Sequence, residues 1–193
     1  MLRLKILVLS NSAGGLYHFR SELLEALLGK GHDVFFCVPD KQDAMFVQLL
    51  ETVGCTYIHT PMSRRGVNPI DDIMLVRQYQ RVAKDVRPDV ILSYTIKPNL
   101  YGSFVAARAR IPIIMNITGL GSALQTGKLK SLVTRMYRYA GKHAAVVFFE
   151  NKANMDWFLT NRLVAPEKTR LIPGSGVNLE KFRPLPKIND DGV

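Results

Sequence analysis

At 193 residues the chain has room for one domain with a substantial core. Its hydrophobic share of 47% against 22% charged is that of an ordinary soluble globular protein, and no apolar run approaches the ~20 residues a membrane span needs. The 26 basic and 16 acidic residues leave a net charge of +10, which points to an anionic partner: nucleic acid, a membrane surface or a phosphorylated substrate.

The opening "MLRLKILVLSNSAGG" has an apolar core of only Ile6 to Leu9, and no small-residue cleavage site follows it. It therefore reads as a buried first strand, Leu4–Ser10, rather than a secretory leader. Leu16–Lys30 has helical periodicity, with Leu23, Leu24, Leu27 and Leu28 on one face and Gly31 closing it. Asp33–Val38 is a second strand, Ala44–Val53 a helix and Thr56–Thr60 a third strand. Ile70–Val86 reads as a long helix with Asp71 and Asp72 in its first turn. Val90–Ser93 is a strand, and Pro98–Arg108 a helix with proline suited to its first turn. Ile113–Ile117, Ala145–Phe149 and Thr169–Ile172 are strands, separated by helices over Lys128–Lys142 and Ala153–Asn161. Cys37 and Cys55 have no metal-type spacing and are expected as buried free thiols of a cytosolic protein.

This alternation predicts an α/β, Rossmann-like parallel sheet of about seven strands with helices on both faces. Ligands of such sheets bind beyond the carboxyl ends of the strands. The loops that matter are then Asn11–Gly15, Thr60–Asn68, Tyr94–Asn99, Thr118–Thr126 and Glu150–Asn154.

"LSNSAGGLYHF" joins the first strand to the first helix. Gly14 and Gly15 let backbone amides approach a phosphate at a helix N-terminus, or make a plain tight turn. Neither the dinucleotide fingerprint nor the nucleoside-triphosphatase loop is present. In "SYTIKPNLYGS", Lys97 and Asn99 either point into the cleft or form a solvated helix start. "NITGLGSALQTGK" carries Gly119, Gly121 and Gly127, a pattern suited to a loop that closes over a ligand.

"TGKLKSLVTRMYRYAGKH" has five Lys or Arg and no acid. On a helix, Lys128, Arg135, Arg138 and Lys142 share a face about 80° wide at ~100° per residue. Leu129, Leu132, Met136 and Ala140 lie beside that face. Such a helix suits an anionic bilayer or is a solvated charged face. His18 and His59 can reach the cleft as acid-base groups, or serve as structural or surface residues. There is no Ser-His-Asp pattern, paired-carboxylate signature or metal cluster in the sequence.

The Gly14-Gly15 loop, "RPDVILSYTIKPNLYGSFVA", "NITGLGSAL", "VVFFENKANMDWF" and "IPGSGVNLEKFRP" occur in this order. Together they resemble the N-terminal half of the retaining family-4 (group 1) glycosyltransferases with the GT-B fold, in the branch that builds capsule, O-antigen and other bacterial surface glycans. The resemblance implies that residues 1–174 are the acceptor-binding domain. Residues 175–193 then begin the linker to a C-terminal donor-binding domain. It further implies a UDP-sugar donor, whose diphosphate lies near Gly14 and Gly15. The acceptor is a glycan or a sugar on a polyprenyl diphosphate, facing His18, His59, Lys97, Asn99, Thr118, Gly119 and Gly121. Arg64 and Arg65, with Lys128, Arg135, Arg138 and Lys142, would meet the lipid phosphate or the cytoplasmic membrane surface. No cofactor or metal is expected, since the nucleotide-sugar is a substrate, and no catalytic residue is assigned. Many relatives carry a cleft histidine after the fifth strand; here the residues are Asn116-Ile117-Thr118-Gly119. The alternative is a non-catalytic subunit that recruits a separate catalytic partner to a membrane. A nucleic-acid binder rests on charge alone and lacks a basic-aromatic motif. A sugar-nucleotide epimerase of this architecture would need the dinucleotide fingerprint and a Tyr-x3-Lys pair.

Overall fold

The computed structural model describes residues 2–63, 68–120, 130–176, 178, 179 and 183. Seven strands form one parallel sheet: β1 (Lys5–Leu9), β2 (Asp33–Val38), β3 (Thr56–His59), β4 (Val90–Tyr94), β5 (Ile113–Ile117), β6 (Val146–Phe149) and β7 (Thr169–Leu171). Their spatial order is β3-β2-β1-β4-β5-β6-β7. The chain winds outward from β1 to β3, then returns to place β4 on the other side of β1. The order therefore reverses between β1 and β4, and the crevice at their carboxyl ends is the natural ligand position.

The helices are α1 (Ala13–Gly29), α2 (Met45–Val53), α3 (Pro69–Val86), α4 (Ile96–Ala109), α5 (Lys130–His143) and α6 (Lys152–Thr160), with a 3-10 turn at Pro166–Lys168. β1 alternates its side chains between two cores. Ile6 and Val8 pack with Leu16 and Leu24 of α1 and Val47 and Leu50 of α2. Leu7 and Leu9 pack with Leu75 of α3, Val105 of α4, Tyr137 of α5 and Phe158 of α6. Helices thus cover both faces, as the alternation predicts. Four lie on one face and two on the other, where Leu92, Ile114, Val146 and Phe148 are only half-buried.

Two helices start ahead of their apolar pattern. α1 begins at Ala13, ahead of the expected Leu16, because the Ser12 side chain accepts from the Gly15 amide. α4 begins at Ile96, so Pro98 sits third, where a missing N–H costs no helical bond. The expected apolar face of α1 needs correction. Leu16, Arg20 and Leu24, spaced by four, are buried, while Leu23 is exposed and Leu27 and Leu28 are half-buried. Leu23 lies one 100° step from Leu24 and so turns off the core-facing stripe. Similarly, α5 buries Val133, Tyr137, Ala140 and Gly141, leaving Leu132 exposed and Met136 half-buried. Cys37 and Cys55 are buried free thiols.

Two glycines mark close approaches. A Cβ on Gly141 would lie 2.0 Å from the Leu163 carbonyl oxygen, so α5 presses its backbone against the segment after α6. A Cβ on Gly102 would lie 2.7 Å from Leu9 Cδ1, which seats α4 directly on β1.

Candidate active site

Two adjoining cavities open at the carboxyl ends of β1, β4 and β5. The first, about 270 Å³, lies between Asn11, Met62, the start of α4 and Ile117–Gly119. The second, about 300 Å³, lies between the β1–α1 loop, Tyr94, Thr118, Glu150 and Ser175. Asn11, Thr95 and Thr118 line both.

The floor of the first cavity is a buried polar chain. Ser93 Oγ donates to Asn99 Oδ1 at 2.7 Å, and Asn99 Nδ2 donates to the Asn116 carbonyl at 3.0 Å. Asn99 therefore ties α4 to β4 and β5, and its amide is already engaged inside the protein. Tyr137 of α5 lines the same cavity, and burial pushes its hydroxyl up in pKa. Lys97 also lines this cavity, but its Nζ lies 2.8 Å from Asp72 Oδ1 of α3, with both side chains largely buried. The lysine is paired within the wall, not solvated.

Thr95 carries the local strain. This β-branched residue has φ 72° and ψ 168°, a conformation L side chains rarely adopt. Its hydroxyl is buried without a protein partner, as are Thr60 Oγ1 and Asn116 Oδ1. Thr95 and Asn116 stand at the carboxyl ends of the adjacent strands β4 and β5, whereas Thr60 follows the edge strand β3, with β2 and β1 between it and β4. Buried polar atoms in native proteins nearly always find partners, so the orphaned Thr95 hydroxyl, on a residue that lines both cavities, marks a polar ligand position. The sequence singled out the Tyr94–Asn99 loop but not Thr95, because its positive φ leaves no compositional trace.

In the second cavity, Arg20 Nη2 meets Glu150 Oε1 at 2.5 Å, and the guanidinium lies 4.8 Å from the centre of the Tyr94 ring. Ser175 Oγ donates to the same Glu150 oxygen at 2.7 Å. Burial pushes the Tyr94 hydroxyl up in pKa, an effect the neighbouring Arg20 opposes. Arg20 did not stand out in the sequence, and Glu150 did so only as the first residue of the Glu150–Asn154 loop. An arginine on the buried face of α1 was the available signal, since such a residue needs a partner.

At the glycine loop, the Ala13 amide donates to Asp40 Oδ2 at 2.9 Å, and the Gly15 amide to Ser12 Oγ at 3.3 Å. An anion entering the α1 N-terminus competes with the Asp40 carboxylate. A Cβ on Gly14 would meet the Phe46 ring at 3.1 Å, so packing alone explains that glycine. A Cβ on Gly15 would find only ordinary contact with Ser12, and Gly15 lines the second cavity.

The two histidines stand apart from both cavities. His18 is exposed, with its ring centre 4.8 Å from that of Phe46. His59 Nε2 lies 3.3 Å from the Pro39 carbonyl at the exposed end of β3. Thr118 and Gly119 line the first cavity. Arg135, Arg138 and Lys142 are exposed on α5, outside both cavities, and Arg138 donates to the Asn161 carbonyl at 3.3 Å. Gly121, Arg64, Arg65 and Lys128 lie outside the described residues. Among the described residues, no group of three His, Cys, Asp or Glu is arranged to hold a metal ion, and no helix is long and apolar enough to cross a membrane.

Comparison with known proteins places this geometry. Over 188 residues the chain is 28% identical to the N,N'-diacetylbacillosaminyl-diphospho-undecaprenol alpha-1,3-N-acetylgalactosaminyltransferase of Campylobacter jejuni, covering 94% of this chain and 49% of that protein. HepE of Anabaena, solved in complex with UDP and glucose, superposes with a TM-score of 0.67 at 18% identity, over 95% of this chain and 47% of its own. The UDP-GlcNAc 2-epimerase of Neisseria meningitidis bound to UDP-GlcNAc gives 0.65 at 14% identity, over 87% and 46%. The chain thus spans about half the length of the relatives it matches. Transferases and an epimerase share the architecture, so the fold alone does not choose between them. The glycosyl transferase 4-like domain pattern matches residues 14–174, from the glycine loop through the turn after β7, and the chain belongs to that family.

Proposed function

We propose that this domain is the acceptor-binding half of a retaining sugar transferase. The enzyme moves a sugar from a nucleotide-sugar, a UDP-sugar, to a glycan carried on a polyprenyl diphosphate, in bacterial surface polysaccharide synthesis. The orphaned hydroxyl of Thr95, held at positive φ where the two cavities adjoin, carries this reading. The similarity to a transferase whose name specifies a diphospho-undecaprenol substrate supports the acceptor class.

An acceptor hydroxyl over Thr95 and Thr118 attacks the anomeric carbon of the donor. The bond from that carbon to the diphosphate oxygen breaks, and the nucleoside diphosphate leaves with the electron pair. The acceptor proton passes to the departing phosphate oxygen, so no strong base is required of this domain. Gly15, without a side chain to fill the second cavity, leaves room for the donor diphosphate at the domain boundary. The described residues place no histidine at either cavity, consistent with that route. The polyprenyl carrier brings the protein to the cytoplasmic face of the membrane as a peripheral partner, and the α5 cations Arg135, Arg138 and Lys142 are exposed to meet it.

The test is transfer of labelled sugar from UDP-sugars to lipid-linked acceptors by the full-length protein. Acceptor-dependent release of UDP is expected, falling about tenfold in Thr95→Val, the loss of one hydrogen bond made at the transition state. Conversion of the UDP-sugar to an epimer without acceptor, or no turnover with any lipid-linked acceptor, would overturn the proposal.

A further inference from the structure

Half of the exposed large apolar side chains of the described residues lie on one side of the molecule: Ile70, Ile73 and Met74 on α3, Phe104 on α4, and Leu132 and Tyr139 on α5. Each is between 41% and 70% exposed. Ile73, Phe104 and Tyr139 line a groove of about 500 Å³, floored by Leu100 and walled by Val76 and Met136. α4 forms the bottom, and the Phe104 and Tyr139 rings meet across it with centres 6.1 Å apart. Scattered exposed apolar residues need no explanation, but a contiguous patch does.

Long cations run through the same surface. The exposed stripe of α3 continues from Ile70, Ile73 and Met74 into Arg77, Arg81 and Lys84. α5 carries Lys130, Arg135, Arg138 and Lys142 and has no acidic residue. At 100° per residue, Arg135 flanks the Leu132–Met136–Tyr139 ridge directly, and Arg138 and Lys142 follow beside it. Apolar tips with arginine and lysine alongside, and a tyrosine among them, are the composition of a surface lying at a bilayer interface. There the apolar groups enter the acyl boundary and the cations reach anionic headgroups. The core of a protein interface is instead depleted of charge, and a nucleic-acid backbone has no use for exposed isoleucine and leucine.

The patch also adjoins the site. Asp72 walls this groove and holds Lys97, which lines the first cavity. One ion pair therefore separates the proposed acceptor site from the apolar groove.

We propose that the α3–α4–α5 ridge is the surface by which this protein docks on an anionic bilayer, with Ile73, Leu132 and Tyr139 entering the interface. The bilayer then presents a lipid-linked acceptor at the mouth of the neighbouring cavity. This rests on the lipid-linked reading of the acceptor given above, and extends it from a basic helix to a mixed apolar and basic face of three helices.

The test is flotation of the full-length protein with phosphatidylcholine vesicles, with and without phosphatidylglycerol. Binding is expected only with the anionic lipid. The double variant Ile73→Glu with Leu132→Glu, at exposed positions, is expected to lower partitioning by about tenfold or more while circular dichroism shows the fold intact. In Leu132→Trp, brominated lipid should quench the new indole, whereas the native protein, with Trp157 on α6, should stay unquenched. Undiminished flotation of the double variant, or no quenching of the introduced tryptophan, overturns the proposal. A water-soluble short-chain prenyl diphosphate acceptor separates the two readings. If the double variant uses it as the native protein does but loses the vesicle-borne acceptor, docking is supported. If the native protein floats through this ridge but glycosylates neither acceptor, the docking surface stands and the transferase reading fails.

Discussion

Arg20 on the first helix and Glu150 at the end of β6, 130 residues apart, meet at 2.5 Å with 8% and 15% of their side chains exposed. The pair spans the crevice from α1 to the far half of the sheet. Ser175 joins it, so the segment after β7 is fastened to the site by one carboxylate. Removing one partner of a buried pair leaves the other charged, desolvated and alone, which costs more than the pair itself contributes. Glu150→Ala should destabilise the domain by about 3 kcal/mol. A double-mutant cycle with Arg20→Met should return part of that loss. Hydrogen exchange at Ser175 and Gly176 should also quicken in Glu150→Ala, since their anchor is gone. A denaturation midpoint equal to that of the native protein would refute the structural role.

Gly141 and Gly102 should respond very differently to one added methyl group. In a helix interior alanine is favoured over glycine by about 1 kcal/mol. At Gly141 the new Cβ would sit 2.0 Å from a carbonyl oxygen, and neither backbone can yield cheaply. Gly141→Ala should therefore lose about 3 kcal/mol net. At Gly102 the obstacle is the far end of the Leu9 side chain at 2.7 Å, which can shift, and Gly102→Ala should lose about 1 kcal/mol. Thermal melts of both variants decide the ranking; a more stable Gly141→Ala would contradict the packing described.

Much of this architecture was legible in the sequence because strand periodicity and helix stops are local. Ile113–Ile117 was legible to the residue, and the loops at the strand ends include most of the residues that line the cavities. The site chemistry was less legible. Lys97 was recognisable as a cleft residue, but its partner Asp72 lies 25 residues earlier on another helix. Asn99 looked like a ligand-facing amide, yet it is a buried tie between strands. His18 and His59 are titratable residues close to the predicted loops, but tertiary packing sets both apart from the cavities. Thr95 was hidden because strain lies in a backbone angle. Side-chain identity reports what chemistry is available, whereas pairing across the fold decides which groups remain free for a ligand.

The Asp72–Lys97 pair allows stability and function to be separated. Lys97→Ala leaves Asp72, about 10% exposed, without its cation, and should cost about 3 kcal/mol. Adding Asp72→Asn removes the stranded charge and should recover most of that stability. If Lys97 serves only the fold, the double variant of the full-length protein should also recover its transfer rate. If it also orders the acceptor cavity, kcat/KM should remain about tenfold low, a loss of about 1.4 kcal/mol at the transition state. Complete recovery of both quantities would remove Lys97 from the site.

High pH should weaken this fold through its buried thiols and phenols. Burial pushes the Cys55 thiol up to about 11, helped by nearby Glu25, and raises Cys37, Tyr79 and Tyr137 as well. In the unfolded chain a thiol ionises near 8.5 and a phenol near 10, as approximate reference values. A folded pKa above the unfolded one means that the folded state holds its proton longer. The stabilisation is then full below the unfolded value and is lost as pH rises toward the folded value. The urea midpoint should accordingly be level around neutrality, begin to fall above about pH 8.5 as the unfolded thiols ionise, and fall more steeply near about pH 10 when the phenols join. Replacing Cys37 and Cys55 by alanine should delay the first part of the decline and leave the second. A midpoint that rose with pH through this window would show that these groups ionise more readily in the folded protein, the reverse of what their burial requires.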